Sequence, residues 1–211
     1  EVAPNYLPVH SQLAEILLGQ HQVEQAVAKY EMIASTYQMR GDAAQAIGVY
    51  RRILDISPLH MAARAKLISL LTSRGQNDEA LEEYVATAEA YYQLAQTDKM
   101  LETYQEALAL AARGSGARNW PLVILKGMAD VYMQRLDWNR AANVYQEIKR
   151  LEADGDSTQL TLIDLYYRSG QRRRAEAELD ELVDRCRQQG RLAEALQALR
   201  GLVESYPAEA G

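Results

Sequence analysis

The sequence contains no phenylalanine, a single cysteine and only five prolines among 211 residues. Because Cys186 has no second cysteine to pair with, an internal disulfide is excluded. No apolar run reaches the roughly 18 residues that a membrane-spanning helix needs. Period-two alternation between turn residues, the pattern of a half-buried strand, is also missing. These absences favour a helical protein without a bilayer span.

Positive charge is in short supply as well. The net charge is −6, whereas a nucleic-acid binder needs a clustered cationic surface. Arginines do cluster near Arg172, Arg173 and Arg174, but acidic residues such as Glu176 and Glu178 alternate with them, which is typical of a solvated helix face. We therefore expect no nucleic-acid partner.

The ends and the composition of the chain give three further expectations. The sequence starts at Glu1 without methionine or a basic, apolar leader, and we expect it to be part of a longer protein. Arginine is much commoner than lysine, as in proteins from GC-rich bacterial genomes. A lone cysteine suits a reducing compartment. We therefore expect a bacterial, cytoplasmic protein.

Residues that could carry chemistry are scattered. His10, His21 and His60 are far apart, and none has a histidine or cysteine at metal-ligand spacing. Cys186 aligns with repeated positions on the buried side of a helix, where a thiol acts as a small hydrophobe. The stretch 154–158 lacks the later ligands of a calcium loop, so Asp156 or Ser157 is expected to cap a helix. We predict no metal, no cofactor and no enzyme activity.

Internal repeats dominate the chain. Segments 26–54, 80–108 and 175–203 align without a gap, and a fourth copy of half the pattern starts at Leu136. In each copy a small residue, or once a methionine, precedes a tyrosine or leucine by four positions. The pairs are Ala26 with Tyr30, Ala46 with Tyr50, Ala80 with Tyr84, Met100 with Tyr104, Ala141 with Tyr145, Ala175 with Leu179 and Ala195 with Leu199.

This spacing has a physical reading. Residues four apart share one face of a helix, so a small side chain lets a second helix approach while the ring fills the space beside it. The glycines between such helices, Gly41, Gly75, Gly170 and Gly190, tolerate the left-handed backbone of a tight turn. Carboxylates follow several turns and are expected to favour the next helix start: Asp42, Asp78, Asp98 and Asp137.

The combination of a glycine before the turn, a small residue ahead of a tyrosine and a proline closing the unit resembles the tetratricopeptide repeat (TPR) family. Gly41, Ala46, Tyr50 and Pro58 carry one copy of the motif. The likeness extends over about residues 8–207, although the usual tryptophan and Leu-Gly pair of the first helix are missing. Some motifs lie only 20 residues apart and must share a helix, which predicts some units of three helices.

The resulting prediction is an all-α, right-handed superhelical solenoid of about eleven antiparallel helices. It is expected to form a single array over residues 1–211, with a joint at 114–119. The predicted helices span 8–19, 23–39, 43–56, 59–73, 77–95, 98–113, 121–135, 138–153, 157–169, 172–189 and 192–206.

The resemblance implies a protein-interaction function, because peptides or helices bind the concave face of such arrays. The candidate groove residues are Lys66, Ser69, Ser73, Lys126, Asp130, Gln134, Thr161, Asp164, Tyr167 and Arg168. Asp130 and Asp164 stand where some relatives grip a terminal carboxylate, and would repel one. A mixed or basic peptide, or a helix, is the expected partner.

Three alternatives remain open on sequence grounds, one of them an enzyme or nucleic-acid binder that uses the arginine cluster of Arg172, Arg173 and Arg174. The chain could be a sensor or regulatory domain of a transcriptional regulator or multidomain enzyme, rather than a scaffold. The uncapped ends of the array could also associate with further copies. Among adjacent tyrosines, Tyr91 and Tyr166 are expected in the core, which leaves Tyr92 and Tyr167 towards the groove or solvent.

Overall fold

Helices make up all the regular secondary structure in the described part of the chain. The computed structural model describes residues 6–113, 119–152 and 155–191, together with Ala193, Leu196 and Arg200. Its helices are α1 (Leu7–Gly19), α2 (Val23–Met39), α3 (Ala43–Ile56), α4 (Met61–Ser73), α5 (Asn77–Gln93), α6 (Thr97–Ala111), α7 (Trp120–Gln134), α8 (Trp138–Leu151), α9 (Asp156–Arg168) and α10 (Arg172–Gln188). Every boundary lies within two residues of its prediction. Most of the eleventh predicted helix, at 192–206, lies outside the described residues.

One turn geometry recurs at helix ends. Seven described residues that directly follow a helix C-cap have a positive φ: Gly41, Gly75, Gly170, Gly190, His21, Ala95 and Leu136. In each case the next backbone N–H donates to a carbonyl five residues back, as from Asp42 to Tyr37 at 2.9 Å. This bond satisfies a carbonyl that the helix end leaves open. The chain therefore reverses within three residues, and consecutive helices run antiparallel.

The helix starts confirm part of the predicted capping. Carboxylates of Asp42 and Asp137 accept from the backbone N–H groups three residues on, at 3.2 and 3.1 Å. His60, which the sequence did not mark as a cap, accepts from Ala63 N through Nδ1 at 3.2 Å. The cap expected from Asp156 or Ser157 is wrong, because the N-cap residue of α9 is Gly155, with no side-chain cap bond.

The small residues of the repeat lie where helices meet. Ala26, Ala46, Ala80, Ala141 and Ala175 all have 0% of their surface exposed. Consecutive helices pack against one another, from α1 to α6 and again from α8 to α10. The absence of a larger side chain at these points is what allows the close approach. The predicted anchor positions are therefore confirmed at every described alanine.

The rings beside these alanines use their hydroxyl groups between helices. Tyr30 on α2 donates to Glu15 on α1, and Tyr50 on α3 donates to Gln38 on α2 at 2.9 Å. The Tyr166 oxygen on α9 accepts from Gln146 on α8 at 2.6 Å. A phenylalanine would fill the same space without these bonds, which gives a physical reason for a chain with thirteen tyrosines and no phenylalanine.

The chain divides into two compact units, Glu1–Trp120 and Pro121–Gly211. Unit 1 contains α1 to α6, and its last residue, Trp120, is 2% exposed and donates through Nε1 to Asp78 Oδ1 at 2.9 Å. Unit 2 contains the rest of α7 and α8 to α10. None of the described helices is long and apolar enough to cross a bilayer.

Candidate functional site

A groove of about 670 Å³ runs along unit 1 between α4 and α6, with α5 beneath it. α5 packs directly against both neighbours, so it forms the floor and the other two helices form the walls. We call this surface the α4–α6 groove. Its volume lies in the range of about 300–1,000 Å³ that is usual for ligand sites.

The α4 wall combines apolar and hydroxyl side chains. They recur three or four residues apart and so share one face of the helix. The Thr72 hydroxyl is buried and has no hydrogen-bond partner in the structure, while Ser73 donates to its own helix at Leu70 O, 2.8 Å away. The lining residues on this wall are Met61, Ala65, Ile68, Ser69, Thr72 and Ser73.

The floor is a stripe of Tyr84, Thr87 and Tyr91 on α5. Burial raises the pKa of the Tyr84 phenol, and the nearby Glu106 carboxylate raises that pKa further. Tyr84 is therefore a neutral phenol in the floor of the groove. Thr87 donates to Glu83 O at 2.6 Å, which leaves its oxygen lone pairs as acceptors.

The α6 wall carries the charge. Its lining residues are Lys99, Glu102, Thr103 and Glu106. The Lys99 ammonium lies 5.7 Å from the ring centre of Tyr91, within range of a cation–π interaction. Thr103 donates to Lys99 O at 2.7 Å. The α6 wall thus carries two carboxylates and one ammonium, and the ammonium contacts an aromatic ring. The groove is therefore acidic.

The start of the α4 wall is held by an arginine outside the groove. Arg64 donates to Pro58 O through Nε and Nη2 at 3.0 and 2.8 Å, and to Glu83 on α5 at 3.3 Å. Its side chain is only 11% exposed. The pKa of Glu83 is raised by burial, and the nearby arginine opposes that shift. These contacts fix α4 relative to α5, and with it the width of the groove.

The predicted groove residues of unit 1 are brought together only in part. Ser69 and Ser73 line the α4–α6 groove, whereas Lys66 is exposed on α4 and is not among its lining residues. The lining residues on α5 and α6 were not predicted from the sequence. Their three- and four-residue spacing is visible in the sequence, but it does not reveal that α4 and α6 leave a gap over α5.

The predicted residues of unit 2 lie on α7 and α9, and several contact other groups. Lys126 pairs with Glu152 at 2.7 Å. Asp164 pairs with Arg168 at 2.7 Å, and the Arg168 guanidinium lies 5.1 Å from the ring centre of Trp138. The charge of Asp164 is therefore partly neutralised, which weakens the expected repulsion of a carboxylate at that point.

The other predicted residues of this set occupy exposed or half-buried positions. Asp130 and Gln134 are exposed on α7, and Thr161 and Tyr167 are half-buried on α9. The negative charge of Asp130 also helps to raise the pKa of Tyr145, which is raised mainly by burial. A binding role for the unit 2 residues stays a prediction.

The adjacent tyrosines follow their prediction with one exception. Tyr166 is 1% exposed and Tyr92 is 51% exposed. Tyr91, however, is not in the core: it is half-buried and lines the α4–α6 groove. The reason is that α4 and α6 do not close over this face of α5, so the aligned core position opens into a groove.

Chemistry-bearing groups do not converge in the described part of the chain. No cluster of three or more histidine, cysteine or acidic residues there could hold a metal ion. Cys186 is 2% exposed, as predicted. His60 serves the α4 cap, and its Nε2 lies 3.5 Å from Glu31 Oε1 on α2.

Two features recur together along the described chain: buried alanines at helix crossings, and three-residue reversals between antiparallel helices. The fold is tetratricopeptide-like. Where this turn joins two described helices, the pair forms a TPR-like hairpin. α5 packs against both α4 and α6, and the units of three helices stay a prediction.

Comparison with known proteins gives distant similarities only. No family model matches the sequence, and no curated protein matches it. Among solved structures, TPR-like repeats of a Podospora anserina kinesin light chain are 16% identical, with 90% of this chain and 99% of that chain covered and a TM-score of 0.42. YrrB, described as a TPR protein with an unusual peptide-binding site, is 13% identical over 82% and 91% of the chains, with a TM-score of 0.39.

A third structure is the quorum sensor NprR from B. thuringiensis, in its apo form. It is 14% identical, covers 97% of this chain and 60% of its own, and has a TM-score of 0.47. Since these scores are all below 0.5, the assignment of the TPR-like fold rests on the helix pairing and turn geometry of the chain itself.

Proposed function

We propose that this chain is a non-catalytic protein-interaction module that holds a peptide segment of a partner protein in the α4–α6 groove. The observation that carries the proposal is the groove itself, about 670 Å³ in volume and open along one side, with apolar, hydroxyl and charged side chains in its lining. Ligand sites commonly combine a concave apolar surface with a few polar groups that fix orientation.

The three helices that line the groove favour a role in binding. Buried residues such as Leu67, Leu81 and Leu101 lock α4, α5 and α6 together, so the groove is formed before any partner arrives. A preformed site loses little conformational entropy on binding. The hydroxyl groups along both walls can then select among peptides of similar apolar content.

A blocking substitution tests the proposal. Ser69→Trp places a large side chain in the groove, and Ala62→Trp is the matched control, at an exposed position of the same helix that does not line the groove. A library of heptapeptides with blocked termini is screened for retention on the immobilised full chain. We expect the retained peptides to lose binding to Ser69→Trp and to keep it with Ala62→Trp.

Equal binding to both variants would show that peptides bind elsewhere and would reject the groove as the site. Unchanged circular dichroism of both variants is required first, because a loss of helix would mimic a block.

Self-association through the array ends also stays a prediction. Leu13 and Ile16 on α1 are exposed and share one helix face, and the N-cap residue Tyr6 is exposed as well.

A further inference from the structure

The polar surface of the α4–α6 groove is rich in hydrogen-bond acceptors. Hydroxyl protons of Ser73, Thr87 and Thr103 are used on carbonyls of their own helices, so each oxygen offers only lone pairs to the groove. Carboxylates of Glu102 and Glu106 accept bonds and cannot donate when ionised. A ligand that fits this surface must supply donors.

The lining carries one cation, Lys99, against two carboxylates. The Lys99 ammonium lies 5.7 Å from the ring centre of Tyr91. An acidic peptide would therefore meet a lining of net negative charge. This excess of acceptors and negative charge selects a cationic ligand.

The placement of the two glutamates favours a guanidinium over an ammonium. Glu102 and Glu106 are one helical turn apart, so their Cβ atoms are roughly 5–6 Å apart on one face. A guanidinium carries five donors in a planar fork that can serve a carboxylate with two bonds, whereas an ammonium acts as a point charge. Apolar flanking residues can pack on Met61 and Ile68 across the groove.

We propose that the α4–α6 groove recognises an arginine side chain of its partner peptide through Glu102 and Glu106. This inference rests on the proposed peptide-binding function and adds to it the chemical identity of the residue that is read. The partner is a peptide and not a free polyamine, because the apolar residues of the α4 wall would contribute nothing to a small polycation.

The test compares three heptapeptide pools with blocked termini and random flanking positions, centred on arginine, citrulline or glutamate. Citrulline keeps the shape of arginine but is neutral. Each pool is titrated against the full chain by fluorescence anisotropy. We expect the arginine pool to bind about tenfold or more tightly than the citrulline pool, since charge-assisted bonds to carboxylate are the strong ones, and the glutamate pool to bind most weakly.

Variants with matched charge changes locate the effect. Glu102→Gln with Glu106→Gln should remove the preference for arginine over citrulline. Glu82→Gln with Glu89→Gln makes the same change in net charge at exposed positions of α5 outside the groove, and should preserve the preference.

The possible failures are distinguishable. If citrulline binds as tightly as arginine and Ser69→Trp still blocks both, the groove binds peptides but the arginine claim is overturned. If both glutamine pairs reduce the preference equally, the effect is one of net charge and the assigned contact is overturned. If spermidine binds as tightly as the arginine pool and displaces it fully, the ligand is a small polycation and the peptide assignment is overturned. If Ser69→Trp blocks no pool, the proposed function fails with it.

Discussion

At the scale of single residues, tyrosine hydroxyl groups form hydrogen bonds between neighbouring helices at several positions of the repeat. Tyr30, Tyr50 and Tyr166 fill the space beside neighbouring helices and bond to polar side chains on them. The pKa of each is raised, in each case chiefly by burial, so the groups stay protonated and able to donate. The composition of the chain thus follows from its packing.

Removing one such hydroxyl gives the first prediction. Tyr50→Phe should lower the free energy of unfolding by about 1 kcal/mol, because the ring remains and only the bond to Gln38 is lost. Urea denaturation followed by circular dichroism measures the change. Tyr92→Phe is the control, since Tyr92 is 51% exposed. A Tyr50→Phe variant as stable as the parent chain would show that the bond contributes nothing net.

The left-handed turn residues give the second prediction. Ala95 has φ 55° and is exposed, a conformation that costs an L-residue about 1–2 kcal/mol relative to glycine. Ala95→Gly should therefore raise the stability of the chain by up to about 1 kcal/mol. Ala109→Gly, at an exposed position in the last turn of α6, should lower it by up to about 1 kcal/mol. Melting temperatures that shift in the same direction for both variants would contradict this account of the turn.

At the scale of elements, most helices could be predicted because their signals are local. The alanine and tyrosine spacing and the turn glycines fix the boundaries of α2, α3 and α10 from sequence. The turns at His21, Ala95 and Leu136 carry no glycine, so their left-handed backbone could not be predicted from residue type. It arises because the packing of the flanking helices outweighs the local backbone preference.

Close approach of helices gives the third prediction. Ala46 and Ala80 have 0% of their surface exposed, so Ala46→Leu or Ala80→Leu should overpack a helix crossing and cost about 1–3 kcal/mol. Ala109→Leu, on an exposed position of α6, is the control and should cost little. Thermal unfolding of the three variants measures these differences in stability. If Ala46→Leu leaves the stability unchanged, the helix crossing has room for a larger side chain than the structure shows.

The tie between α1 and its neighbours gives the fourth prediction, a dependence on pH. The bond from Tyr30 and then the Arg52 guanidinium lower the pKa of Glu15 below its ordinary value. A carboxyl group whose pKa is lowered on folding stabilises the chain above its unfolded pKa and loses that contribution as the pH falls through the folded value. The contribution is small, since the Glu15 side chain is 56% exposed.

The variant Glu15→Gln isolates this effect. It should be less stable than the parent chain at pH 7, and the difference should shrink as the pH is lowered from about 5 to about 3. Urea titrations across that range measure it, with Glu89→Gln as the control carboxylate. A difference that is constant with pH would mean that the ionised form of Glu15 is not what stabilises α1.

At the scale of the whole molecule, the sequence supports the TPR-like fold but only part of the site. Ser69 and Ser73 could be predicted because counting from the repeat motif places them on the concave side of α4. Tyr84, Glu102 and Glu106 could not, since a groove depends on which neighbouring helices fail to close over a third. That is a property of three packed elements, and no single helix carries a signal for it. The single continuous array and its superhelical hand stay predictions.

The most direct measurement of the central claim is photo-crosslinking of the full chain with an arginine-centred heptapeptide that carries a diazirine side chain next to the arginine. Mass spectrometry then locates the adducts. The account predicts adducts on α4, α5 and α6, at groove residues such as Met61, Ile68 and Tyr84, and their loss in Ser69→Trp. Adducts confined to α7–α10, or unaffected by Ser69→Trp, would contradict it.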